Sequence, residues 1–196
     1  MRNKFNYTDF TSHLLAWYDG RSLHLPWRNC NDPYKIYLSE VMLQQTQVKT
    51  VLPYYQKWIN KYPTVQSVAN AKQVQILKQW EGLGYYGRAR NFHKSCQIIA
   101  IQFNGDIPAL PEEFSKLPGV GPYISAAVMS IAFHHPLPAI DTNAIRVGSR
   151  LKMVKLSSPA DSKAIHRYLS DTRAPARIWV TYSLRQGKNG FPGVSP

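Results

Sequence analysis

Two stretches of the sequence could do chemistry before any fold is assigned. The first surrounds Glu40, in Leu38-Ser39-Glu40-Val41-Met42-Leu43-Gln44-Gln45-Thr46-Gln47. A carboxylate set beside Met42, Leu43 and Trp27 loses water, which raises its pKa and lets it carry a proton near neutrality, as a general acid must. A solvated helix glutamate is the alternative for Glu40 taken alone. The glutamines and threonine that follow carry side chains that hydrogen-bond base edges or fill a gap in a stack. The second stretch is Leu117-Pro118-Gly119-Val120-Gly121-Pro122-Tyr123. Two glycines around one apolar residue allow a tight turn whose N–H groups open the following helix, where the helix dipole adds to them. That arrangement suits one phosphate oxygen and reads no base. An ordinary connection between helices is the alternative for the bare turn.

The rest of the chain must position these groups. Its 196 residues make one domain or two small ones, by a prior of roughly 100–200 residues per domain. Such a chain buries a core without needing a disulfide or metal to fold. Lys and Arg number 24 against 11 Asp and Glu, a net charge of +13, which points to nucleic acid or an anionic surface. No acidic residue lies between Glu40 and Glu81, so this stretch is either a surface that tracks phosphates or a plain basic one. A hydrophobic fraction of 44% speaks against disorder. No apolar run approaches the roughly 18 residues of a spanning helix, and the start MRNKFNYTDF has no apolar signal core, so the expected location is cytoplasmic, away from membranes. Two cysteines, Cys30 and Cys96, are too few for a disulfide framework or a four-thiolate site.

The periodicity is helical almost throughout, and the expected class is all-α. Helices are expected over 8–18 with Thr8 as N-cap, over 33–59 with a stop or kink at Pro53, and over 65–69, 74–79 and 89–103. Further helices are expected over 110–117, 122–133, 143–154 and 159–169, with 23–32 a loop. After about Asp171 no period is sustained.

The motifs LPWR, DPY, LSEVMLQQTQV, EGLGYYGRARN, LPGVGPY and IDTN occur in that order. Together, over about residues 8–170, they closely resemble the adenine DNA glycosylases of the MutY type, in the helix-hairpin-helix superfamily that also contains endonuclease III. The resemblance implies the helix-hairpin-helix glycosylase fold: a six-helix barrel subdomain, an incomplete second helical subdomain, and a hairpin at about 110–133. It implies a bacterial DNA repair enzyme that removes adenine mispaired with 8-oxoguanine or guanine from double-stranded DNA, expected as a monomer.

By the same resemblance Glu40 matches the glutamate that protonates adenine. Asp141 matches the aspartate that stabilises the oxocarbenium-like sugar, although an Asx residue before 143–154 also suits an N-cap. Gln44, Gln45 and Tyr85 match residues that enter the duplex, and Trp27, Arg28, Leu43 and Thr46 match the lining around them. Gly119 and Gly121 match the hairpin's phosphate contact, and Asn143 the polar residue beside the aspartate. Arg88 and Arg90 are read as phosphate contacts or a solvated basic helix end, and Tyr86 as a core aromatic. Tyr123 stands where bifunctional relatives carry a nucleophilic lysine, so the implied enzyme is monofunctional. The sequence departs from the family at Thr142, where the family reads glycine, and in lacking the four cysteines of a [4Fe-4S] cluster. The irregular segment 171–196 stands in place of the cluster-binding region. The alternative reading of the whole chain is a truncated, catalytically weak DNA-binding remnant of such an enzyme.

Overall fold

The computed structural model describes residues 25–28 and 30–171, together with Ala16. The expected helix over 8–18 and the segment after Asp171 fall outside the described residues, Ala16 apart. Every regular element among the described residues is helical, and two compact units divide the chain at His135.

The first unit, Leu25–His135, contains α1 (Pro33–Leu43), α2 (Val48–Lys61), α3 (Val65–Ala69), α4 (Gln73–Trp80), α5 (Tyr86–Gln102), α6 (Pro111–Phe114) and α7 (Pro122–Ala132). Asp32 starts α1: its Oδ1 accepts from the N–H groups of Tyr34 (3.0 Å) and Lys35 (3.3 Å), and Pro33 takes the first helical position. Residues on every side of α1 are then buried, from Tyr34 through Met42 with only Lys35 excepted. A helix wrapped on all sides shows no polar stripe. Helices α2, α5 and α7 pack against it, while α3 and α4 pack on α5.

The filling is aromatic. Trp58 of α2 meets Trp80 of α4 edge-on at 5.5 Å and Phe92 of α5 at 5.9 Å, and Tyr37 of α1 meets Phe92 and Phe114, each at 5.0 Å. Edge-to-face contacts of this kind add to the stabilisation that area burial already supplies. The Tyr34 hydroxyl donates to the Tyr62 carbonyl at 2.6 Å and accepts from Trp58 Nε1 at 3.1 Å, so the polar tips of this cluster are satisfied internally. Burial pushes the Tyr34 phenol far up, and it stays protonated as a donor.

The single helix expected over 33–59 is two helices. The chain breaks at Gln44–Gln47, where Gln45 takes φ 54°, and Pro53 lies inside α2 instead of ending it. Pro53 and Lys49 are both exposed, so the carbonyl left without its helical donor can be hydrated. The break at Gln44 has a long-range cause in Arg88, set out below.

The second unit includes α8 (Thr142–Leu151) and α9 (Pro159–Asp171). Ile140, Ala144, Ile165 and Leu169 form its core, and Gly148 lets the two helices close, since a Cβ there would lie 2.8 Å from Ile165 Cγ2. The expected end of α8 at 154 moves back to Leu151, because Met153 turns the chain with φ 54°.

Replacing Tyr34 by Phe strands Trp58 Nε1 and the Tyr62 carbonyl in the core. The expected loss is about 1–3 kcal/mol of unfolding free energy, read from the urea midpoint.

Candidate functional site

Glu40 sits in the last turn of α1 and is 1% exposed. The turn Leu25–Arg28, closed by a 2.9 Å bond from the Arg28 N–H to the Leu25 carbonyl, brings Arg28 over it. Arg28 Nη2 lies 3.6 Å from Glu40 Oε1, and the guanidinium is itself nearly buried. Trp27 of the same turn is 1% exposed and meets Tyr55 of α2 edge-on at 4.8 Å. Trp27 Nε1 and the Tyr55 hydroxyl are buried without a hydrogen-bond partner among the described residues. Polar hydrogens oriented into a core with nothing to receive them are costly, and such groups concentrate where a polar guest or water belongs. The burial expected for Glu40 is therefore present, and Tyr55 joins Trp27 in the packing of the turn. No sequence signal separates Tyr55 from the other aromatics of α2.

The residues expected to enter DNA lie at the far end of α1. Leu43, Gln44 and Thr46 are half-buried, whereas Gln45 is exposed. Tyr85 is 61% exposed and forms the N-cap of α5 with φ 49°. Tyr86, read from the sequence as core, is exposed as well, at 38%: it is the first residue of α5, before the buried run that begins at Ala89. Arg90 is exposed.

Arg88 differs from its expected place at the surface. Its guanidinium turns inward, where Nη1 donates to the carbonyls of Val41 (3.1 Å), Met42 (2.8 Å) and Gln44. Nη2 donates to Thr46 Oγ1 (3.1 Å) and to the carbonyls of Gly84 (3.2 Å) and Leu83 (3.4 Å). The rings of Trp80 and Tyr85 lie 5.4 and 5.3 Å from its central carbon. The orphan carbonyls at the end of α1 are thus capped by a cation from another helix, which ends α1 where its sequence would continue.

The hairpin runs from α6 to α7. Gly119 takes φ 78°, and a Cβ on it would lie 2.8 Å from Asn91 Cβ of α5, so glycine is required twice over. Ser95 Oγ of α5 donates to the Pro118 carbonyl at 2.8 Å, which seats the turn. Gly121 is unlike Gly119. It is the N-cap of α7 in extended conformation, and a Cβ on it would meet nothing within 4 Å. Tyr123, in the first turn of α7, is half-exposed.

In the second unit Asp141 is the N-cap of α8. Its Oδ1 accepts from the Ala144 N–H at 2.8 Å and its Oδ2 from Asn143 Nδ2 at 3.0 Å, so the capping alternative is realised and Asn143 joins it. Thr142 is the first helical residue and keeps negative φ, so its position makes no conformational demand for glycine. The two cysteines do not fit a four-thiolate cluster: Cys30 is half-buried, and Cys96 is buried in α5, where burial pushes its thiol well up. Among the described residues no helix is long and apolar enough to cross a membrane.

Comparison with known proteins agrees with this geometry. The family described as HhH-GPD superfamily base excision DNA repair protein matches residues 38–170. An adenine DNA glycosylase of Buchnera aphidicola subsp. Baizongia pistaciae is 41% identical over 151 residues, covering 76% of this chain and 43% of that protein. An adenine DNA glycosylase of Mus musculus is 39% identical over 156 residues, covering 75% of this chain and 30% of that protein. The chain thus spans less than half the length of these curated relatives. A solved thermostable thymine-DNA glycosylase superposes with a TM-score of 0.76 at 24% identity, covering 89% of this chain and 82% of that one, a likeness of fold.

The two hairpin glycines should separate in denaturation. Gly119→Ala is expected to cost about 2 kcal/mol or more, and Gly121→Ala about 1 kcal/mol or less, both read from urea midpoints.

Proposed function

The chain belongs to the HhH-GPD superfamily of base excision DNA repair proteins, and from that premise we propose that it is a monofunctional adenine DNA glycosylase. Its substrate is double-stranded DNA in which adenine is mispaired with 8-oxoguanine or guanine. The observation that carries this reading is Glu40, a carboxylate buried to 1% exposure in a core helix beside Arg28. Burying a carboxyl group costs free energy whether it is charged or protonated, so the fold gains nothing by keeping one there. Chemistry is the reason to retain it.

The proposed reaction begins with the adenine turned out of the duplex, at a cost of a few kcal/mol that a mispair lowers. Glu40, in its protonated form, gives its proton to a ring nitrogen of adenine. The bond from sugar C1′ to the base then breaks with its electron pair on a neutral leaving group instead of an anion. Asp141, held by the Ala144 N–H and Asn143, is assigned the support of the positive charge on the sugar. Water adds to C1′, and its proton returns to Glu40. One neutral and one ionised carboxyl group is the division of labour that glycosidic cleavage uses. A phenol at Tyr123 forms no Schiff base, so the product is an abasic site in an intact strand.

Binding is proposed to divide between two surfaces. The N–H groups that open α7 receive a phosphate oxygen where the space before Gly121 is open. Gln44, Gln45 and Tyr85 stand at the duplex and meet the base opposite the target. The relatives named adenine DNA glycosylases support adenine as the base removed.

Glu40→Gln keeps the shape and removes the proton. Excision in single turnover is expected to fall by about 10²–10⁴-fold, while affinity for the mispaired duplex is retained. Full-rate excision by Glu40→Gln would remove the acid role. Binding without excision by both proteins would make the chain a DNA-binding module.

A further inference from the structure

The six acceptors of the Arg88 guanidinium come from two separate segments, 41–46 at the end of α1 and 83–84 before α5. Each segment leads into a residue held in the left-handed region: Gln45 at φ 54° and Tyr85 at φ 49°. Side chains other than glycine rarely adopt that conformation and keep it only where the surroundings over-determine it. Both residues are nevertheless exposed, Tyr85 to 61%. Exposed residues held in a disfavoured conformation have their cause beneath them, and here the same cation lies under both. The Tyr85 ring also rests 5.3 Å from the Arg88 guanidinium carbon, and the Trp80 indole donates to the Gly84 carbonyl at 3.0 Å from the other side.

We propose that Arg88 is a positioning residue for recognition of the base opposite the target: one buried guanidinium locks the Gln45 tip and the Tyr85 tip in a single register, so that the two meet the duplex as a unit. The proposal rests on the reading that Gln45 and Tyr85 enter DNA. It replaces a phosphate contact for Arg88, and the two roles differ in what lysine can do. Lysine keeps the positive charge a phosphate needs. It lacks the planar fork that reaches six oxygens in two segments.

The test uses the full 196-residue chain and its Arg88→Lys variant. Amide hydrogen exchange reports the clamp directly. In Arg88→Lys the amides of 44–47 and 83–86 are expected to speed up together, while those of α2 and α3 keep the wild-type rate. Equilibrium binding is compared on a duplex with an uncleavable adenosine analogue opposite 8-oxoguanine and on the same duplex opposite thymine. Preference for the first over the second is expected to fall at least about fivefold, the low end for one base-reading group. The slope of log affinity against log salt is expected to stay unchanged, because no phosphate contact is lost. In a Gln45→Ala/Tyr85→Ala background Arg88→Lys is expected to cause no further loss of preference, which a general loss of stability would not reproduce.

Exchange that rises in neither segment, or in one alone, overturns the proposal. So does a raised exchange with preference intact, or a shallower salt slope with preference intact, which would return Arg88 to phosphate. If Arg88→Lys fails to fold, Thr46→Val removes one Nη2 acceptor more gently, and the two segments must still loosen together. A wild-type chain with no preference for the mispair would defeat the functional reading, while the exchange pattern would still decide whether Arg88 couples the two tips.

Discussion

A carboxyl group buried in the last turn of a helix that is enclosed on nearly every side constrains this molecule more than any other feature. Glu40 is 1% exposed, and Arg28 stands 3.6 Å from it as a counter-charge. A carboxyl group in that position opposes folding, since its polar oxygens leave water, and the Arg28 contact offsets only part of this. The remainder of the unit Leu25–His135 can be understood as what makes the placement tolerable. Close aromatic packing by Trp58, Trp80, Phe92, Tyr37 and Phe114 supplies the stabilisation. The loop Leu25–Arg28 brings the cation. Trp27 of the same loop and Tyr55 of α2 each bury a donor without a hydrogen-bond partner among the described residues.

Helix α5 then distributes this order to the surface. Its middle turns carry Phe92 and Cys96 into the core. Its first turns carry Arg88, which ends α1 by capping its carbonyls, and Tyr85 at the exposed cap. The face between them carries Asn91 and Ser95, against which the hairpin turn is set. One helix therefore fixes the helix of Glu40, the tips proposed to read a base and the turn proposed to hold a phosphate. Sites built on such elements hold geometry better than sites on loops.

Much of this was legible in the sequence, for identifiable reasons. Local chemistry spoke clearly: Asp32-Pro33 starts a helix, Gly119 and Gly121 mark a turn, and Asp141 suits an N-cap, as each does here. What the sequence concealed depends on partners distant along the chain. The break at Gln44 is made by Arg88, more than forty residues away along the chain, whereas the locally disruptive Pro53 is tolerated on an exposed face. Arg88 in a basic stretch reads as a surface cation, and only the fold reveals six oxygens around it. Tyr86, next to Tyr85, reads as core, yet the start of α5 presents both to solvent. Thr142 departs from the family's glycine without consequence for the backbone, because the position is an ordinary first turn of a helix.

The central claim is that a buried acid in this small helical unit breaks a glycosidic bond to adenine. Single-turnover release of free adenine from a duplex carrying adenine opposite 8-oxoguanine, with the 196-residue chain in excess, tests it most directly. The account predicts first-order release of adenine that leaves an unbroken strand with an abasic site, and none from the same duplex with adenine opposite thymine. A folded chain that binds the mispaired duplex and releases no adenine would contradict it.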